Sequence, residues 1–226
     1  MFGPNPVFAD RRDAGRRLAA ALRGYARENP LVLALPRGGV PVGYEVAREL
    51  GAPLDLVFVR KIGAPAQPEL GLGAVVDGDD PQLVVNEDVV REVRPPPGYV
   101  EAEARRQLAE IERRRQLYRG GRPPEPVVNR TVIVVDDGIA TGGTVRAVLR
   151  ALARLGPRRL VLAVPVAPRD SIRSLRAEAD EVVCLATPEP FYAVGAHYDD
   201  FAQTEDRDVI ELLAMARGIA RGELSP

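Results

Sequence analysis

The densest chemical potential in the sequence lies in one short run, Asp136-Asp137-Gly138-Ile139-Ala140-Thr141-Gly142-Gly143-Thr144. Two adjacent carboxylates can accept hydrogen bonds from two neighbouring hydroxyls of a ligand. The residues after them can turn tightly and point several backbone N–H groups inward, with Gly142 and Gly143 permitting close approach and positive φ. A helix starting near Thr144 adds its positive end, which suits a phosphate dianion. Thr141 and Thr144 supply hydroxyl donors. Together these groups form a seat for a vicinal diol beside a phosphate, the outline of a ribose 5-phosphate. A Walker-type phosphate loop is excluded by the absence of a Gly-Lys-Ser/Thr end, and no Gly-x-Gly-x-x-Gly follows an expected strand. The bland alternative is a glycine-rich turn with two solvated aspartates.

Two further loops carry matching chemistry. In Pro36-Arg37-Gly38-Gly39, a guanidinium stands beside exposed backbone N–H groups, a combination suited to a diphosphate. Arg60-Lys61 precedes Gly63 and Pro65 and could neutralise departing anionic charge; an ordinary solvated basic pair is the alternative. Of the 31 basic residues, Lys61 alone is a lysine. Near the C-terminus, Phe191 and Tyr192 could stack on a planar ring, or else plug a small core.

The elements needed to position these loops are legible in outline. Apolar spacing predicts a helix over Phe8–Ala26 with Asp10 as its N-cap. Leu31–Leu35, Leu54–Val59, Thr131–Val135, Leu160–Val166 and Val182–Leu185 read as buried strands. Helices are expected over Val42–Leu50, Val145–Leu155, Ser171–Glu178 and Asp206–Arg217. Gly63–Asp80, rich in Gly, Pro and Asp, reads as a long mobile loop with at most a weak hairpin. Tyr99–Tyr118 reads as a charged helix with an apolar stripe of Ala104, Leu108, Ile111 and Leu117. Strands alternating with helices imply an α/β fold. The expected form is a Rossmann-like, mostly parallel sheet of about five strands with helices on both faces. In such sheets ligands bind beyond the carboxyl ends of the strands, near the switch in strand order.

Composition narrows the function classes. Across 226 residues the formal charge is −1, with 46% hydrophobic and 28% charged residues, the balance of a soluble globular domain. That charge argues against duplex nucleic acid as the main partner. One cysteine, Cys184, and one histidine, His197, leave no internal disulfide and no multi-imidazole or thiolate metal centre. Met1–Asp10 lacks the marks of a secretory signal, and no apolar run could span a bilayer, so the expectation is a cytoplasmic protein with no membrane partner.

The stretch Val132–Thr144 resembles the phosphoribosyl-pyrophosphate signature of the type I phosphoribosyltransferases, in a form most similar to that of the adenine enzymes. The resemblance implies that Asp136 and Asp137 hold the ribose hydroxyls and that Ala140 to Thr144 cradle the 5-phosphate, with Gly138 and Ile139 also among the PRPP-binding residues. It implies a pyrophosphate loop at Pro36–Gly39, often with a cis peptide at the position of Pro36-Arg37. By the same likeness Arg37, Arg60 and Lys61 receive the leaving pyrophosphate, and Mg²⁺ is the cofactor, reached by Asp136 and Asp137 mostly through water or substrate. Phe191 and Tyr192 fall in the hood over the acceptor base, and Asp199 matches an acidic residue near the metal.

Departures are equally specific. Ala140 stands where hypoxanthine–guanine enzymes carry an aspartate assigned as general base. Thr187-Pro188-Glu189-Pro190 lacks the lysine those enzymes aim at the purine. The helix of residues 98–120 matches no element of the common enzymes. The expectation is a single domain, with a core over 31–185, a hood from 1–26 and 186–226, and the 98–120 insertion. Its reaction is Mg-dependent displacement of pyrophosphate from 5-phosphoribosyl-1-pyrophosphate (PRPP) by a nitrogenous base in nucleotide salvage, in a homodimer. The alternative is a PRPP-binding regulator or sensor without turnover.

Overall fold

A computed structural model describes residues 7–78 and 81–220. The ends of the expected hood, and the last two residues of the stretch read as a mobile loop, lie outside them. Five parallel strands form the main sheet in the order β2 (Leu54–Leu56), β1 (Pro30–Ala34), β6 (Thr131–Val135), β7 (Arg159–Val166) and β8 (Glu181–Ala186). The central strands are continuous apolar runs because both of their faces are covered. Val32, Ala34, Ile133 and Val135 enter the core beneath α1 (Arg11–Leu22) and α2 (Gly39–Leu50). Their alternates Leu31, Leu33, Val132 and Val134 pack with Val148, Leu149 and Leu152 of α5 (Gly143–Arg154), on the opposite face.

Strand order switches between β1 and β6. From β1 the chain moves to β2 on one side; from β6 it moves to β7 and β8 on the other. The loops leaving β1 and β6 therefore diverge around one crevice, the place where ligands of open α/β sheets bind.

Several boundaries differ from expectation. Asp10 caps α1 by accepting from Asp13 N–H at 2.7 Å, so the helix starts at Arg11 rather than Phe8, and its end passes into a 3-10 turn over Arg23–Arg27. The expected strand Leu54–Val59 ends at Leu56, and β3 (Val59–Ala64) then starts a separate sheet. That sheet overturns the reading of Gly63–Asp80 as a mobile loop: β3, β4 (Gln67–Val76) and β5 (Gln82–Val85) form a three-stranded antiparallel sheet. The glycines there serve close strand approach, since a Cβ on Gly73 would lie 2.4 Å from Val84 O and one on Gly63 2.4 Å from Pro68 O.

After β5 come α3 (Glu87–Val93) and the long α4 (Tyr99–Arg119), which packs against β3, β4 and α7 (Asp206–Ala220). Leu117 of the expected α4 stripe is exposed, and Tyr118 and Arg119 are buried in its place. Helix α6 (Arg169–Leu175) precedes β8. The N-terminal segment meets the late chain where Val7 and Phe8 N–H groups donate to His197 O and Phe8 pairs with Tyr198. Among the described residues no helix is long and apolar enough to cross a membrane.

Candidate active site

The two loops at the switch point are in direct contact. Leu35 N–H donates to Val135 O at 2.9 Å, which carries the β1–β6 ladder into the loops. Beyond it, a Cβ on Gly39 would meet Val135 O at 2.8 Å, and one on Gly38 would meet Asp137 Oδ2 at 2.1 Å. Only glycine lets the Pro36–Gly39 loop lie this close to the aspartate pair. The Pro36-Arg37 peptide is cis, as the sequence resemblance implies.

Each aspartate is held differently. Asp136 Oδ1 accepts from Asp137 N–H at 2.9 Å. Burial, and then the neighbouring charge of Asp137, pushes the Asp136 carboxyl well above the ordinary carboxylate range. Asp137 Oδ2 accepts from Arg11 Nε at 2.7 Å, and its backbone carbonyl accepts from the Tyr198 hydroxyl. Arg11 also donates to Ala202 O at 2.7 Å and lies 3.8 Å over the Phe201 ring.

The turn that follows has the polarity an anion needs. Ile139 is an exception: its N–H donates to Val166 O at 2.9 Å and its side chain is buried, so it shapes the turn from below. The N–H groups of Ala140, Thr141, Gly142, Gly143 and Thr144 take no backbone partner among the described residues. Gly142 sits at φ 77° just before α5, and Ala140, Thr141, Gly143 and Thr144 are exposed. Gly138 lies against Val194, where a Cβ would meet Cγ1 at 2.5 Å.

The basic residues divide between two spaces. Arg60 and Lys61 lie within β3 rather than after a strand, so their side chains leave opposite faces. Arg60 faces a cavity of about 210 Å³ that Pro36, Asp136 and Thr144 also line. Lys61 instead lines a groove of about 680 Å³ beside Thr141, Gly143 and Thr144. Arg37 is paired with Asp206 at the start of α7, Nη1 to Oδ1 at 3.2 Å, and the Tyr118 hydroxyl donates to the same oxygen. That hydroxyl bond, followed by Arg37, holds the Asp206 carboxyl below its usual range. Burial and the carboxylate push Tyr118 up to about 12.

The expected acceptor residues are spread out. Phe191 packs on His197 with ring centroids 5.0 Å apart and adjoins the small core of Phe8 and Tyr198. Tyr192 is 74% exposed, and Asp199 is exposed with its N–H donating to Phe8 O at 2.9 Å. Arg11, Gln107, Arg114, Tyr118, Tyr198 and Asp206 all touch the site or its basic residues, yet the sequence alone did not mark them. Asp10 was legible as a helix cap, but nothing local separates Arg11 from the other arginines of that helix.

The chain is similar to known proteins in sequence and in fold. Residues 9–200 match the phosphoribosyl transferase domain family. Two curated Mycobacterium tuberculosis proteins, from strains CDC 1551 and H37Rv and provisionally named phosphoribosyl transferases, are each 47% identical over 210 residues, 93% of this chain. The chain spans about half the length of those relatives, 47% of each. The crystal structure of TT1426 from Thermus thermophilus is similar with a TM-score of 0.81 and 47% identity, covering 92% of this chain and 98% of that one.

Proposed function

Because this chain belongs to the phosphoribosyl transferase family, we propose that it binds PRPP with Mg²⁺ and transfers the phosphoribosyl group to a nitrogenous base. The observation that carries this reading is the contact of the two switch-point loops, with Gly38 packed on Asp137. It supports the reading by setting the aspartate pair beside the arginine–glycine loop at the switch point, with Arg60 and Lys61 lining two spaces that both reach Thr144.

In this reading Asp136 and Asp137 accept hydrogen bonds from the ribose hydroxyls, and Ala140 to Thr144 hold the 5-phosphate. The C1–oxygen bond to pyrophosphate breaks with its electron pair leaving on pyrophosphate, and a C1–nitrogen bond forms to the base. Arg37 and Arg60 meet the departing charge, and Lys61 reaches the phosphate side of the crevice. The transition state is oxocarbenium-like, so the protein's task is positioning and charge stabilisation. Ala140 cannot accept a proton, so the proton lost by the base is not taken up by a side chain at that position.

Among the described residues no three His, Cys, Asp or Glu side chains converge as a metal cage. Two adjacent carboxylates fit a hard cation held largely by substrate oxygens and water. Mg²⁺ bound there would neutralise diphosphate charge. Nucleotide salvage, a cytosolic location, a homodimer and the single-domain layout (core 31–185, hood from 1–26 and 186–226, insertion 98–120) belong to the same proposal. A PRPP sensor without turnover is the second reading, favoured by Ala140 and by the ion pair that occupies Arg37.

Calorimetric titration with PRPP and Mg²⁺ tests the site. Asp137→Asn should weaken binding by about 1.5–3 kcal/mol, the scale of a hydrogen bond to a charged group. Unchanged affinity in that variant would place the ligand elsewhere.

A further inference from the structure

We propose that the inserted helix α4 forms one wall of the diphosphate pocket and that Arg114 is an anion-binding residue of that pocket. This rests on the reading of the switch-point crevice as a PRPP site, and it assigns a role to an element that the family resemblance leaves unexplained.

Gln107, Ile111, Arg114 and Tyr118 follow one another at intervals of four, three and four residues, which places them on one face of a helix. That face looks onto the site at each step. Gln107 Oε1 accepts from Arg60 Nε at 2.9 Å. Ile111 and Arg114 line the cavity of about 210 Å³ whose other walls are Pro36, Arg60, Asp136 and Thr144. Tyr118 donates to Asp206, the partner of Arg37. One helix face therefore reaches both guanidiniums expected to meet pyrophosphate, directly or through Asp206, and adds a third.

The cavity has the scale and surroundings of a small anion site. It is below the ~300–1,000 Å³ range of clefts that enclose drug-sized ligands. Its walls bring two guanidiniums, Arg60 and Arg114, within reach of the cis-peptide loop and of the phosphate turn. Bidentate guanidinium contacts are well matched to phosphoryl oxygens.

Arg114 can turn to a ligand at low cost. Its Nε donates to Glu110 at 2.9 Å, but Arg113 already holds both oxygens of that carboxylate, at 2.9 and 3.0 Å. Glu110 therefore stays paired when Arg114 leaves. The helix itself is firmly anchored. Arg119 is buried between Asp55 and Asp77, 3.0 Å from each, and Tyr118 stacks on Phe58 at 6.1 Å. At the other end the Tyr99 hydroxyl donates to Gly63 O at 3.2 Å. A side chain on a fixed backbone is suited to precise placement of an anion.

The test is a set of titrations with inorganic pyrophosphate, PRPP and ribose 5-phosphate, each with Mg²⁺, on the intact protein and on Arg114→Ala, Arg114→Gln and Arg114→Lys. Arg114→Ala and Arg114→Gln should weaken pyrophosphate and PRPP at least tenfold. Ribose 5-phosphate should stay within twofold, and Arg114→Lys should recover part of the loss. Pyrophosphate affinity that survives both neutral variants, in a protein whose ribose 5-phosphate binding still depends on Asp137, would overturn the role of Arg114 alone. Equal loss of all three ligands would also overturn it, because the helix would then be a general support. If the unaltered protein binds neither pyrophosphate nor ribose 5-phosphate, the PRPP reading fails and this inference falls with it.

Discussion

Arg11 Nε lies 2.7 Å from Asp137 Oδ2, joining residues 126 positions apart at the centre of the crevice. The pair is sheltered, with side-chain exposures of 12% and 15%, and Phe201 covers the guanidinium. It ties the start of the chain to the carboxylate expected to hold the ribose, and through Ala202 to the segment after the hood aromatics.

Removing that guanidinium leaves a largely buried carboxylate short of a partner. Arg11→Met should lower the unfolding free energy by about 1.5–3 kcal/mol, read by urea denaturation. A value near zero would mean that water replaces the guanidinium without cost.

Asp137 cannot move aside easily while Arg11 holds it, and this makes Gly38 sensitive. Gly38→Ala drives a Cβ to 2.1 Å from Asp137 Oδ2 and should cost about 1–3 kcal/mol of stability. Ribose 5-phosphate affinity should fall at least tenfold, the scale of one hydrogen bond to a charged group. Gly24→Ala is the control, because its added Cβ has no neighbour within 4 Å: affinity should be unchanged and stability should not fall, rising by at most about 1 kcal/mol.

His197 supplies a pH dependence outside the crevice. It is fully buried, neither ring nitrogen has a hydrogen-bond partner among the described residues, and burial lowers its pKa below the ordinary 6.5. The unfolded chain therefore takes up a proton that the folded protein resists. This contribution to stability is complete above about pH 6.5 and falls as the pH drops, by up to ~1.4 kcal/mol per unit. Urea melts between pH 7 and pH 5 should show the decline, and His197→Phe should flatten it.

The sequence exposed the parts of this site that depend on residue type within a short window. The aspartate pair, the glycine turn and the apolar strand before them sit within a dozen or so residues, and the continuous apolar run Thr131–Val135 placed them at the end of β6. The arginine–glycine loop after β1 was legible for the same reason. Gly63–Asp80 misled because glycine and proline usually signal loops, whereas here the glycines let β3, β4 and β5 approach one another. Arg11, Asp206 and Tyr118 reach the crevice through packing between distant helices, and no local pattern encodes such contacts. Arg60 and Lys61 were found as a pair, but their separation follows from lying inside a strand, and that depended on the unforeseen second sheet.

Transfer of the phosphoribosyl group is tested most directly by measuring pyrophosphate release from PRPP and Mg²⁺ against a panel of purine, pyrimidine and other nitrogenous bases. Release should require one class of base and be lost in Asp137→Asn. Tight PRPP binding with no release under any base would contradict turnover and leave the sensor reading in its place.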